Sequence, residues 1–349
     1  MNNWQRIRYP SPLQPGDTIG ITAPSSGVDA PLHPRLDVCI GHLKDLGYKV
    51  VEGACLRQDA KHVSGSREAR AKDLLALWRA PEVKAIVPPW GGELLIHLLP
   101  HIDFEEMARS QPKWILGYSD TSTLLFAMTT LTGMATAHGT NLMDMVPGQT
   151  GTLSRRWQDV LATGHGGRVE LHSSNAYQIK GPRWEHEPAA KFNLTEPTRW
   201  RCMINGREVE SIRFQGRIIG GCLETLSPLV GTPYGNFSGL KDRLKPEGVV
   251  LFLESCGSYP GQACRMLWHM RLAGWFDNLA GLIIGRPSGE DSQEFSHLDA
   301  LHDVFDDTEI PVIFNADIGH LPPQMTIVNG AAATVELSGG TGHVETEFA

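Results

Sequence analysis

The feature that most constrains this chain is an alternation. Short apolar runs end in small or polar residues, and a stretch of helical periodicity follows each one. Thr18-Ile-Gly-Ile runs into Thr-Ala-Pro-Ser-Ser. Leu36, Ile40, Leu43 and Leu46 then recur at helical spacing, up to a glycine, Gly47, that suits the position just past a helix end. Residues 49–52 read as a second strand and 67–78 as a helix. Residues 83–87 read as a third strand, leading into Pro-Pro-Trp-Gly-Gly. Trp114-Ile-Leu stops at Gly117, a helical pattern spans Thr121 to Thr132, and 134–139 read as a further short strand. This order predicts parallel strands with helices on both faces of the sheet.

A second α/β block begins at Arg217. It holds a strand and a glycine-opened helix over 218–226, an apolar strand ending at Glu254, a helix over 263–273, a strand over 279–285, and a strand over 311–320 that ends in a polar loop at His320. Two alternating segments joined through Gly339-Gly340 read as an antiparallel ribbon. Between the blocks, from Val146 to about Gly216, Gly, Pro, Ser and Thr are frequent and periodicity is weak. The expected organisation is an N-terminal α/β domain over 1–150, a connecting region with a substrate loop over 151–215, and a C-terminal α/β domain over 216–349. The segment Lys180-Gly-Pro-Arg-Trp-Glu-His-Glu-Pro has an aromatic, Trp184, in a polar loop. It reads either as a cover over a ligand or as a surface linker with one ring tucked in.

A length of 349 residues is too great for one ordinary core and agrees with two domains. The net charge of −8 gives no reason to expect nucleic acid or an anionic membrane as partner. The apolar runs are too short to span a bilayer, and the N-terminus lacks the apolar core of a signal peptide, so a cytoplasmic protein is expected. The six cysteines form no C-x-x-C pair, which argues against disulfides and a zinc site. Cys256 reads either as a reactive thiol or as a small buried apolar residue. Walker and G-x-G-x-x-G spacings are absent, so no nucleotide cofactor is expected. His97 and His101 have Pro100 between them and no third ligand, so no metal site is expected there.

Three residues stand at the carboxyl ends of apolar strands, where open α/β sheets bind ligands: Ser119, Glu254 and His320. A strand-to-helix turn lifts the Ser119 hydroxyl out of the sheet and leaves the Asp120 amide free to point at an oxyanion. A serine nucleophile needs a base, and the base needs an orienting acid; these residue types supply all three. Each also has an ordinary explanation. Ser119 or Asp120 would cap the helix, Glu254 would pair with Arg265 or Arg286, and His320 would be a satisfied loop histidine. Gly91-Gly92 after Trp90 offers a second backbone donor or a plain tight turn.

Gly-Tyr-Ser-Asp-Thr at 117–121 resembles the nucleophile motif of the LD-carboxypeptidase family of serine peptidases. Gly91-Gly92 with 98–103, Gly216 to Leu226, Gly231-Thr-Pro-Tyr, Leu251-Phe-Leu-Glu and Asp317-Ile-Gly-His resemble further family segments, in order, from about Pro12 to near the C-terminus. The resemblance implies a triad of Ser119, Glu254 and His320 and an oxyanion hole from the Gly92 and Asp120 amides. It also implies a flavodoxin-like N-terminal domain, a C-terminal α/β domain, a homodimer and no cofactor. Two branches compete. Murein enzymes remove the terminal D-alanine of a cell-wall tetrapeptide. Microcin C immunity peptidases cleave a peptidyl-nucleotide, with a loop aromatic on the base. The extra length around Trp184 and Cys222-Leu-Glu-Thr-Leu resemble the immunity branch. Ser-Cys-Gly-Ser-Tyr-Pro-Gly after Glu254 departs from the murein pattern. Trp184 and Trp90 are accordingly the expected substrate contacts, with a small peptide or peptidyl-nucleotide as substrate. A non-catalytic small-molecule binder on the same frame is the alternative of another class.

Overall fold

The computed structural model describes residues 4–149 and 153–349. The chain runs in order through β1 (Thr18–Ile21), α1 (His33–Asp45), β2 (Lys49–Glu52), α2 (Arg67–Arg79), β3 (Val83–Val87), α3 (Phe104–Arg109), β4 (Trp114–Gly117), α4 (Thr121–Thr132) and β5 (Thr136–His138). It continues through α5 (Trp157–Leu161), β6 (Arg168–His172), β7 (Ala176–Tyr177), β8 (Glu196–Pro197), β9 (Arg201–Ile204), β10 (Arg207–Val209) and β11 (Ser211–Cys222). Then come α6 (Leu223–Leu226), α7 (Phe237–Leu244), β12 (Val249–Glu254), α8 (Pro260–Leu272), β13 (Gly281–Gly285), α9 (His297–Phe305), β14 (Val312–Ala316), β15 (Ile327–Asn329), β16 (Ala332–Ser338) and β17 (Thr341–Glu347).

The α/β architecture expected from the alternation is present. One sheet has the order β15-β5-β4-β3-β1-β2, and β1 to β5 pair in parallel. Its sixth strand comes from far along the chain: β15 pairs antiparallel to β5, with Ile327 opposite His138. The second sheet has nine strands, β10-β9-β14-β13-β12-β11-β16-β17-β6. Its centre, β11 to β14, is parallel. The flanks are antiparallel and include the ribbon β16–β17.

The segment with weak periodicity differs from the sequence reading. It supplies β6, β9 and β10 to the second sheet. β6 buries only Val169 and Leu171 on one face, an alternation too short to stand out. Helix α4 explains how the halves join. Eleven of its twelve residues are buried, and it packs on β11 of the second sheet as well as on β5 of its own. A helix without a charged residue, its Thr129, Thr130 and Thr132 hydroxyls bonded within the fold, can be enclosed in this way.

Candidate active site

Ser119 sits where β4 turns into α4, with a φ of 63°. A non-glycine residue in this left-handed region is strained, and such strain clusters at functional sites. It points the side chain away from the sheet. Helix α4 starts directly after Asp120, and the Thr121, Ser122 and Thr123 amides close its first turn on the Tyr118, Ser119 and Asp120 carbonyls. Asp120 does more than begin the helix. Its buried carboxylate accepts from Ser25 Oγ at 2.5 Å and from the Leu95 amide at 2.8 Å. It therefore braces the loops after β1 and β3 against the turn.

The loop after β3 passes very close to Ser119. A methyl group added at Gly91 would fall 2.6 Å from Ser119 Cβ and 2.7 Å from both its Oγ and the Asp120 nitrogen. Only glycine allows that approach. Gly92, at φ 145°, lies against the Ser25 and Ser26 hydroxyls. Trp90 is half-buried and donates its indole N–H to Gly27 O at 3.0 Å.

Glu254 ends β12 and is fully enclosed, at 1% exposure. Neither Arg265 nor Arg286 is its partner. Its Oε2 lies 2.7 Å from His320 Nδ1. Gly319, at φ 110°, is what lets the histidine loop close on it, because a Cβ there would meet Glu254 Oε2 at 2.5 Å. Burial pushes the Glu254 carboxyl up, yet the charge and hydrogen bond of His320 outweigh this and hold it below the usual range. Burial likewise depresses His320, but the Glu254 charge overrides it and raises the imidazole well above its ordinary value. Both directions describe one ion pair. His320 Nε2 is enclosed and has no partner among the described residues. Tyr118, next to Ser119, packs edge-on to the His320 ring with centroids 5.0 Å apart.

Arg286 is occupied elsewhere. With Ser174 and Trp200 it converges on Asp317, three residues before His320. Arg286 Nη2 and Ser174 Oγ lie 2.8 Å from Oδ1, and Trp200 Nε1 lies 3.0 Å from Oδ2. That buried knot anchors the histidine loop. Cys256 is exposed rather than buried, and its thiol contributes to the raised pKa of His320.

Trp184 packs half-buried against the core with the Arg35 guanidinium 4.5 Å from its ring centroid. Arg35 lies in α1 and is almost wholly enclosed. It donates to Met143 O, Pro188 O and Ala190 O, at 2.9, 3.1 and 2.6 Å. One residue of the N-terminal half thus pins the loop that carries Trp184. Sequence reasoning missed it, because an arginine in an amphipathic helix reads as solvated. Close by, burial pushes the Asp144 carboxyl up to about 6, against the lowering charge of Arg35.

Among the described residues one group has ligand atoms close enough for a metal. It is Glu170, His172 and His343, all within 4.8 Å of one another, on the outer strands β6 and β17 and away from these strand tips. No helix among the described residues is long and apolar enough to cross a membrane.

Residues 19–139 match the family described as LD-carboxypeptidase N-terminal domain, and 215–335 match the LD-carboxypeptidase C-terminal domain. A Vibrio cholerae protein named as a carboxypeptidase is 29% identical, with 97% of each chain covered. A Bacillus subtilis protein named as a murein peptide carboxypeptidase is 26% identical, covering 96% of this chain and 94% of its own. The microcin C7 self-immunity protein MccF of Escherichia coli is 25% identical, covering 95% and 94%. Among solved structures, MccF in complex with glutamyl sulfamoyl guanosine superposes with a TM-score of 0.81 at 23% identity, over 97% of this chain and 98% of that one. A muramoyltetrapeptide carboxypeptidase from Oxalobacter formigenes gives 0.71 at 20%, over 95% and 98%.

Proposed function

Because this chain belongs to the LD-carboxypeptidase family and is a carboxypeptidase-type hydrolase, we propose that it is a serine peptidase using Ser119, His320 and Glu254, acting on a small peptide or peptidyl-nucleotide. The observation that carries the reading is the state of His320. Its Nδ1 is held by Glu254, its Nε2 is enclosed without a hydrogen-bond partner among the described residues, and its ring packs on Tyr118, the neighbour of the strained Ser119. Ser119 Oγ attacks the carbonyl carbon while His320 Nε2 takes its proton. The imidazolium, stabilised by Glu254, then gives that proton to the leaving group. The Gly92 and Asp120 amides hold the oxyanion, and water releases the acyl group by the same steps in reverse order.

The peptidyl-nucleotide reading is favoured by the docked loop with Trp184. Arg35 occupies one face of that ring, and a base stacks on the other. MccF itself has been solved with aspartyl sulfamoyl adenosine. The second reading, a murein tetrapeptide in cell-wall recycling, is favoured by the full-length likeness to the murein-named relative. We take the enzyme to be homodimeric, as the family resemblance implies.

The test is labelling by a fluorophosphonate, with hydrolysis of an aspartyl-adenylate phosphoramidate and a murein tetrapeptide measured in parallel. Ser119→Ala should abolish labelling and lower either hydrolysis by about 10⁴-fold or more. Retained labelling or turnover refutes the nucleophile. Trp184→Ala should raise KM for the phosphoramidate alone; an equal loss on both substrates refutes base stacking.

A further inference from the structure

Two buried polar atoms without a hydrogen-bond partner among the described residues face each other across the junction of the two sheets. One is Glu254 Oε1, the carboxylate oxygen that His320 does not use. The other is His138 Nε2. They are 4.0 Å apart, and both side chains are 0% exposed. A separation of 4.0 Å is longer than a hydrogen bond and too short for a bridging water. An approach of about 1 Å satisfies both atoms at once.

His138 is fixed on three sides. It ends β5, beside Gly117 of β4 and opposite Ile327 of β15. Its ring meets Phe252 of β12 edge-on, with centroids 5.1 Å apart. Its Nδ1 lies 3.3 Å from Ser122 Oγ, one helical turn beyond Ser119. That hydroxyl accepts from the Cys222 amide at 3.0 Å. The Cys222 amide can only donate, so among the described residues His138 Nδ1 is the one neighbour of this hydroxyl that can accept the Ser122 proton. The imidazole proton therefore resides on Nε2, the nitrogen that faces Glu254. Burial depresses His138 to about 4, more than the Glu254 charge raises it, so the ring is neutral at pH 7. A neutral donor is what the arrangement needs, because a second imidazolium would compete with His320 for the same carboxylate.

The groups facing this pair are few. From the histidine loop comes His320, from just past β4 the Tyr118 ring, its centroid 6.4 Å from that of His138, and from β11 the Cys222 thiol, which donates to Glu224 and also helps to hold Glu254 low. The largest influences that hold Glu254 low come from His320, His138 and Cys222, with no lysine or arginine among them. Besides the weakly donating Cys222 thiol, His138 is the donor that faces Oε1 among the described residues.

We propose that His138 is a positioning residue for the hydrolytic machinery, its Nε2–H holding the second oxygen of Glu254 so that the first stays aimed at His320. This rests on the triad reading above, and it gives the N-terminal half a second hold on the reaction besides Ser119. Without that donor the carboxylate is more basic, so the Glu254–His320 pair takes up a proton at higher pH.

The experiment is the pH dependence of fluorophosphonate inactivation, which reads the ionisation of the base without a known substrate. His138→Leu should move the acid limb up by about one pH unit, the scale of one hydrogen bond to a charged group. It should also slow inactivation on the plateau by about tenfold. His138→Gln, which keeps a donor, should return the limb close to the wild-type position. Ser122→Ala leaves the ring in place and frees Nδ1 to take the proton, so its limb should also move up. If His138→Leu does not fold, the Ser122→Ala profile decides. An unmoved limb in the variants, with wild-type Ser119 labelled normally, overturns the positioning role alone. Failure of wild-type Ser119 to label overturns the triad beneath it.

Discussion

Replacing Gly91 by alanine isolates a geometric demand that the fold places on Ser119. The new methyl would sit 2.6 Å from Ser119 Cβ and 2.7 Å from its Oγ, whereas ordinary contact begins at 3.4 Å. Something must therefore open by about 0.8 Å, and only two things are near. One is the loop after β3. The other is the Ser119 turn, already in a strained conformation and braced by Asp120 through Ser25 and the Leu95 amide. Gly91 does not have a positive φ, so alanine meets no backbone penalty and the whole effect is steric. Overpacking of this kind costs about 1–3 kcal/mol, which a two-domain protein survives. A displacement near 1 Å at a reacting atom costs about 10²-fold in rate. Gly91→Ala should thus fold, unfold a few degrees earlier, and lose about 10²-fold in kcat and in the fluorophosphonate inactivation rate, with KM nearly unchanged. A variant that keeps its rate within about threefold while its melting point falls would refute the reasoning, because the strain would then have gone into the loop alone.

Two other expectations concern the same centre. Ser119→Gly relieves the left-handed backbone and should be about 1 kcal/mol more stable than Ser119→Ala in urea unfolding, although both are inactive; equal stabilities would mean that the turn is not strained. The activity of the wild type should rise with pH through an apparent pKa above the usual histidine value, because Glu254 raises His320. Glu254→Gln removes that charge and leaves burial to act alone, so the acid limb should move down, with a loss of about 10⁴-fold on the plateau. A limb that stays or rises in that variant refutes the pairing. The stability linked to the pair has the matching signs. The His320 part is complete below its unfolded pKa and is lost as pH rises through the raised folded value. The Glu254 part is complete above its unfolded pKa and is lost as pH falls through the lowered one.

Much of the frame was legible, because the elements that build the site are locally strong. The run ending at Gly117, the helix Thr121–Thr132 and the apolar strand closed by Glu254 each follow from periodicity and a terminating residue, and each is present. What escaped depends on contacts far along the chain. β15 is three residues long, too short for any pattern, and is a strand only because β5 has an open edge beside it. β9 and β10 gain their meaning from β14, about a hundred residues later. Arg35 is charged and unremarked in the sequence, and is buried only because carbonyls from Pro188 and Ala190 close over it. His138 reads as the end of a strand until the opposite sheet brings Glu254 beside it.

The path of the chain around His320 has a mechanical consequence. The histidine follows β14, an interior strand of one sheet, and precedes β15, at the rim of the other. The ten residues between them, 317–326, are therefore moored at both ends, and Asp317 knots the near end in place. Prising the halves apart would strip β15 from β5 before it widened the cleft. Wholesale gaping is thus a poor route for substrate.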